Sequence, residues 1–442
     1  MTGLCSVMSS QAANDRRVRQ MSGGFAALIK TVVSLMLVLL ICAGCRQRRV
    51  ARTTPQMDAE SRFWIRVRIL NDVNEFALRI LSPSRLVSSS SSAGEPLHLD
   101  EFGKKTRIYM SSGKIRIAGL DLPDTGLSIY PEGPHIFEVN GEDYRGVLKL
   151  LVDSEENTFD VINWVPLEPY LAGVIGAEMP DYWESEAIKA QVIAARTYCL
   201  YIKERFGQSR AWDVGKTQAH QVYRGVSAES AQIWNAVNQT SGKVLTCAQT
   251  DGTKGIFPAY YSSTCGGHTE DAVGVFGKSD ASIPGVPCTF CRDVAKTSLF
   301  EWSEVRFGKK EVTRVLRQRY SALRELEDIV KVVVTEKSDY PEFSRATRID
   351  LTGPNGKSDW LRAEDFRLAV DPSGRRIKST CFEIKDKGSV WAFGPGRGFG
   401  HGVGMCQCGA EGMARAGSSA EEILAHYFPK SKIVDIYAPA NE

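Results

Sequence analysis

Gly173-Val174-Ile175-Gly176-Ala177-Glu178-Met179-Pro180, followed by the run from Asp181 to Phe206, is where this sequence changes character. Glu178 stands among apolar and glycine neighbours, so its carboxyl group loses hydration. That raises its pKa and lets it stay protonated as a general acid. The position equally suits a glutamate that leads a helix and favours its macrodipole. Beyond Pro180 the pattern predicts a helix. Asp181 stands at a capping position, Glu184 follows as in a capping box, and no glycine or proline intervenes before Gly207. Ala187, Ile188, Gln191, Ala194, Ala195, Tyr198 and Ile202 keep helical spacing, and the alanines permit close packing.

Upstream the period is two. Phe63, Ile65, Val67 and Ile69 alternate with Trp64, Arg66 and Arg68, the mark of a strand. Further strands are expected at 77–81, 107–110, 115–118, 135–139 and 146–153, parted by the serine run 88–92 and by Ser112-Gly113 and Asn140-Gly141. Downstream the expectations are a helix over 227–239, a strand over 243–247, a charged helix over 310–328 and helices over 407–417 and 419–427. The sum is an α+β fold with mostly antiparallel strands. It divides into a β-rich N-terminal region (62–139), a core (140–297), an insertion subdomain (298–377) and the rest of the core (378–442).

The N-terminus carries Arg16, Arg17, Arg19 and Lys30 before an apolar run from Thr31 to Gly44. A spanning helix needs roughly 20 apolar residues, so this run reads as a secretory signal. Ile41-Cys42-Ala43-Gly44-Cys45 looks like a bacterial lipobox. Residues 1–45 are therefore expected to be a signal peptide with Cys45 the lipid-attachment site, and 46–61 a polar tether. An ordinary signal peptide or an uncleaved anchor is the alternative. Each reading makes the protein extracytoplasmic, and the lipobox makes it membrane-anchored. The net charge of +3, with basic residues interleaved with acidic ones, gives no footprint for nucleic acid.

Two further motifs carry chemistry. Cys265-x-x-His268 and Cys288-x-x-Cys291 each put two soft ligands on one turn, and two such turns can close a tetrahedron around a structural Zn²⁺. Disulfides or free thiols are the alternative. Gly396-Arg397-Gly398-Phe399-Gly400-His401-Gly402-Val403-Gly404-Met405, if extended, bares backbone on one face and lines the other with Arg397, Phe399 and His401. Its glycine spacing does not match a nucleotide-binding loop.

Leu167-Glu168-Pro169-Tyr170-Leu171-x-Gly173-Val174-x-x-x-Glu178-Met179-Pro180, with Glu186-Ala187-x-Lys189-Ala190-Gln191-x-x-Ala194-Ala195-Arg196-Thr197-Tyr198, resembles the signature of the stage II sporulation protein D family. So do Tyr261-x-Ser263-Thr264-Cys265-Gly266-Gly267, the Gly398–Met405 stretch and the tail from Gly409-Ala410 to Tyr427-Phe428-Pro429. The resemblance covers roughly 140–291 and 379–437. It implies a peptidoglycan lytic transglycosylase that cuts between N-acetylmuramic acid and N-acetylglucosamine, leaves a 1,6-anhydro end, and can prefer strands stripped of stem peptides. It puts the catalytic role on Glu178 and makes His401, Gln407, Tyr198, Ser263, Arg397 and Arg196 candidates for substrate binding. Some relatives resemble activators of cell-wall amidases, so a non-catalytic glycan-binding activator is the competing expectation. A thiol peptidase using Cys406 with His401 is a third. Where the family reads Met-Ser-Gln-Tyr-Gly, this chain has Met405-Cys406-Gln407-Cys408-Gly409, whose two thiols could pair with other cysteines, touch a metal or simply replace serine and tyrosine.

Overall fold

The computed structural model describes residues 63–437 apart from 89–96, 100–102, 118, 123–125, 134, 154, 250–251 and 278–282. The expected signal peptide, Cys45 and the tether lie outside the described residues.

Alternation decides the first third of the fold. Ile65, Val67 and Ile69 are buried on one face of the strand Trp64–Val73, while Arg66 and Arg68 point the other way. That strand pairs antiparallel with Thr158–Pro166, which pairs in turn with Val147–Asp153, inside a seven-stranded sheet. A six-stranded sheet is built around Glu75–Ile80 and Lys105–Ser111. Both sheets feed one core: Phe76 from the second meets Phe159 from the first edge to face, centroids 5.7 Å apart.

Among the described residues the α-helices are α1 (Leu167–Glu178), α2 (Ser185–Phe206), α3 (Ala231–Gln239), α4 (Ala272–Phe276), α5 (Thr297–Phe300), α6 (Lys309–Arg319), α7 (Ala363–Val370), α8 (Gln407–Arg415) and α9 (Ala420–Tyr427). Among the described residues no helix is long and apolar enough to cross a membrane. α1 was not expected, because Gly173 and Gly176 lower helix propensity. Packing overrides that. A side chain at Gly173 would come within 2.6 Å of the Tyr223 ring, and one at Gly176 would overlap the Ala228 carbonyl oxygen. The glycines let the single turn at Gly225–Ala228 lie directly on α1.

α2 starts at Ser185, four residues after Asp181, and no side chain caps it, so the expected capping box is not formed. The helix lies between two cores. Ile188, Val192 and Ala195 face the core of the β-rich region, while Ala187, Ala190 and Ala194 join a second core with Phe257, Met405, Ile423 and Tyr427. The charged helix α6 is shorter than expected. The chain is extended at Tyr320 and re-coils as a 3₁₀ turn, which brings Leu323 and Leu326 into a third core with Ile349, Phe366 and Trp391. Behind it stands a sheet of Lys331–Asp339, Ser344–Thr352 and Ser358–Arg362. Ser419 and Glu422 form the capping box that opens α9. The architecture is α+β, with mostly antiparallel sheets.

Candidate active site

Glu178 is the last residue of α1, half-buried where the helix stops and the chain extends at Met179. Its Oε1 accepts a hydrogen bond from the Val222 N–H at 2.7 Å. Burial raises the carboxyl above its ordinary value, opposed by that one bond. Val222 is held there by its neighbour. The fully buried Gln221 donates to the Tyr261 hydroxyl at 3.0 Å and the Ala195 carbonyl at 3.1 Å, and accepts from the Tyr170 hydroxyl at 2.9 Å.

Gln407, at the start of α8, donates to the backbone carbonyl of Glu178 at 3.4 Å and stands 3.5 Å from Gln191 Oε1. Gln191 is fully buried, and its own amide nitrogen has no hydrogen-bond partner among the described residues. Tyr198 and Ser263 are half-buried beside the 260–263 segment: the Tyr198 ring is 5.8 Å from Tyr260, and the Ser263 carbonyl accepts from the Cys408 N–H at 3.0 Å. His401 packs against Tyr260 and Phe276, its Nδ1 accepting from the Val403 N–H at 3.0 Å. Burial lowers its imidazole to about 4, so the ring is neutral near pH 7.

Two candidate residues are otherwise engaged. Arg196 is fully buried and forks onto Glu168 at 2.6 and 3.0 Å while donating to the Lys243 carbonyl. Held by these three bonds, it braces α1 against α2. Arg397 pairs with Glu342 at 2.7 Å and with Glu301 at 3.6 Å. The glycine-rich segment is not extended either. Gly398, Gly400, Gly402 and Gly404 all adopt positive φ, between 69° and 102°, so the chain turns at every second residue. A side chain at Gly404 would overlap the Tyr260 carbonyl oxygen, and one at Gly402 would press on the Arg345 guanidinium.

The expected metal ligands divide. Cys265, Cys288 and Cys291 come together, but their fourth neighbour is Cys406. The four sulfurs, all buried, lie within 4.8 Å of one another, an arrangement consistent with a metal site. His268 is turned away: its Nδ1 is 2.6 Å from the Thr269 carbonyl and its ring stacks on Tyr340, centroids 4.1 Å apart. The positive φ of Gly266 and Gly267 swings the chain after Cys265 and carries His268 out of the cluster. Cys406 Sγ accepts from the Cys265 N–H at 3.3 Å and the Gly409 N–H at 3.4 Å. No hydrogen bond joins Cys406 to His401 among the described residues, and a thiol nucleophile requires such a base.

Sequence reasoning therefore missed Val222, Gln221 and Gln191 as partners of the Glu178 region. It noticed Cys406 as a replaced serine, as a candidate nucleophile and as a thiol free to pair or to touch a metal, but did not group it with Cys265, Cys288 and Cys291. Spacing along the chain cannot reveal a neighbour 141 residues from Cys265.

Comparison with known proteins follows the same residues. A family model described as stage II sporulation protein (SpoIID) matches residues 155–247. A protein of Brachyspira hyodysenteriae described only as uncharacterized is 32% identical over 330 residues, 72% of this chain and 80% of that protein. The amidase enhancer of Bacillus subtilis is 29% identical over 385 residues, covering 77% of this chain but 52% of the enhancer. Stage II sporulation protein D of Bacillus amyloliquefaciens is 30% identical over 281 residues, 60% of this chain and 73% of that protein. With the matched model running through α1, Glu178 and α2, the chain belongs to the stage II sporulation protein D family.

Proposed function

We propose that this protein is a peptidoglycan lytic transglycosylase with Glu178 as its acid and base. The observation that carries the reading is the environment of that carboxyl: half-buried, raised in pKa by burial, and held by a single backbone N–H. A protonated Glu178 delivers its proton to the glycosidic oxygen as the bond from muramic C1 to that oxygen breaks. The resulting carboxylate removes the proton from the muramic 6-hydroxyl as that oxygen bonds to C1. The proton given is recovered, no water is consumed, and a 1,6-anhydro end results. One carboxyl suffices, unlike the pair of a hydrolysing glycosidase. Tyr198, Ser263 and His401 are the proposed substrate contacts, Gln407 holds the backbone of Glu178, and Arg196 and Arg397 act through the framework.

The thiol cluster fits a structural zinc ion. Sulfurs about 2.3 Å from zinc in a tetrahedron stand about 3.8 Å apart, whereas a disulfide holds them about 2.05 Å apart. Cys265 Sγ and Cys291 Sγ are 3.8 Å apart. Four protein thiols leave no open coordination position, so the metal would brace the fold and take no part in the bond exchange. The wider setting proposed is the cell wall, with the chain exported, anchored through a lipid on Cys45, and working on glycan strands, including peptide-stripped ones, beside a cell-wall amidase.

The test is digestion of peptide-bearing and peptide-stripped glycan, with products read by mass spectrometry. Wild type is expected to leave anhydro-muramic ends, and Glu178→Gln to lose about 10²–10⁴-fold in rate. Reducing ends would mean hydrolysis and a second carboxylate. Binding without cleavage would favour the activator reading that the name of the Bacillus subtilis relative suggests.

A further inference from the structure

We infer that Cys406 is the fourth ligand of the proposed metal, and that the loaded metal holds Gln407 against the backbone of Glu178. The inference rests on the zinc reading but not on the glycan chemistry.

Three separate segments meet at the cluster. Cys265 follows the short strand Tyr261–Ser262, Cys288 and Cys291 come from the loop before α5, and Cys406 ends the strand Met405–Cys406. The two strands pair in parallel over only two residues each, Tyr261 with Met405 and Ser262 with Cys406. So short a ladder has little stability of its own. A metal bonded to Cys265 and Cys406 fastens its far end.

The surroundings of Cys406 suit a thiolate. A thiol sulfur is a weak acceptor, yet this one faces the N–H groups of both Cys265 and Gly409 at 3.3 and 3.4 Å, against one longer contact of 3.9 Å to the Ser263 carbonyl. Two backbone donors aimed at one buried sulfur match a charged ligand, whose hydrogen bonds are the stronger kind. The second donor opens α8, where Cys406 is the N-cap. The helix also sits hard against the cluster: a side chain at Gly409 would come within 2.5 Å of Cys288 Sγ.

Gln407 is the next residue. With Cys406 fixed at its sulfur and at its strand, the Gln407 amide has a short sweep, and it spends it on the Glu178 carbonyl. Metal loading is thereby coupled to the segment that carries the acid. Gln407 touches the Glu178 residue, whereas Cys406 is a positioning residue.

The experiment uses the purified full-length chain with zinc or cobalt(II) as the probe metal. Elemental analysis is expected to find one metal per chain, with a cobalt form showing the intense visible bands of tetrahedral thiolate coordination. His268→Ala should keep both. Cys406→Ser should lose at least about 100-fold in metal affinity and its share of the sulfur-to-cobalt intensity. Chelation of wild type, reversed by zinc, should raise amide hydrogen exchange at 261–265 and 405–409 while leaving 331–352 protected. In glycan cleavage, Gln407→Ala and Cys406→Ser should each lower kcat with KM nearly unchanged, and the double variant should fall no further than Gln407→Ala alone. The inference is overturned if His268→Ala loses the metal while Cys406→Ser keeps it. Metal-free chain with Cys265 and Cys291 joined by a disulfide overturns it as well, as does exchange at 405–409 that ignores the metal. If wild type cleaves no glycan, the metal and exchange arms still decide the inference, so the two failures are distinguishable.

Discussion

The proposed chemistry sets Glu178 two opposed requirements. Burial raises its pKa, which suits an acid, yet the same burial would penalise the carboxylate left by the proposed proton transfer. The Val222 N–H limits that penalty without removing the shift. A pH consequence follows at this scale. A general acid must be protonated, so on the proposed role kcat/KM should fall as pH rises through the raised Glu178 pKa, read from a rate profile on peptide-stripped glycan. Stability moves in the same direction. A carboxyl whose folded pKa lies above its ordinary value of 4.5 contributes stability that is full at lower pH and lost as pH rises through the folded value. Glu178→Gln carries no such charge. Its stability advantage over wild type should grow with pH in parallel denaturation series, and an advantage that is flat across pH would mean the carboxyl is not desolvated.

At the scale of elements the glycine-rich segment makes the sharpest prediction. Gly404 and Gly417 both adopt positive φ, at 69° and 93°. Alanine at either position carries the strain of the left-handed region, about 1–3 kcal/mol. Only at Gly404 does the new methyl also meet backbone, the Tyr260 carbonyl oxygen, whereas Gly417 has nothing within 4 Å. Gly417→Ala should therefore remain folded with a modest fall in Tm, and Gly404→Ala should lose far more and pull the 260–263 segment out of register. Comparing thermal melts of the two variants separates strain from collision. The pair also marks how far the sequence can be read. Alternate glycines announced an unusual backbone, but whether they make an extended face or a chain of left-handed turns depends on Tyr260, Thr264 and Arg345, which lie far away in sequence. The same limit hid α1, whose helical state depends on Gly225–Ala228 lying against its glycines. By contrast α2, α9 and the strand Trp64–Val73 were legible, because period and composition are local and the cores reward them directly. Cys265, Cys288 and Cys291 were legible for that reason, while His268 was wrongly grouped with them, and Cys406, reached only through folding, was not legible.

At the scale of the whole molecule, the segment around the Lys331–Asp339 and Ser344–Thr352 hairpin is fastened to the candidate site by two kinds of charge. Glu342 at the hairpin tip pairs with Arg292 and Arg397, but its side chain is 61% exposed. Such pairs are screened by water, and Glu342→Ala should cost less than about 1 kcal/mol. Arg345 is different. It is fully buried, donates to the Cys265 carbonyl at 2.9 Å and lies 3.9 Å from the buried carboxylate of Glu270. Its Nε and Nη1, and one Glu270 oxygen, lack hydrogen-bond partners among the described residues. Removing the guanidinium would strand that carboxylate in a site it cannot leave, so Arg345→Ala should cost about 3–5 kcal/mol. Replacing both charges, as in Arg345→Met with Glu270→Gln, should recover much of the loss, because the stranded charge and not the missing attraction is the larger penalty. Urea denaturation of the three variants reads this directly in the midpoint. If Arg345→Ala proved as mild as Glu342→Ala, the buried pair would not be what joins the hairpin to the cysteine turn. The expected gap between them would instead make the hairpin part of the framework that sets Cys265, and through Cys265 the strand that leads to Gln407.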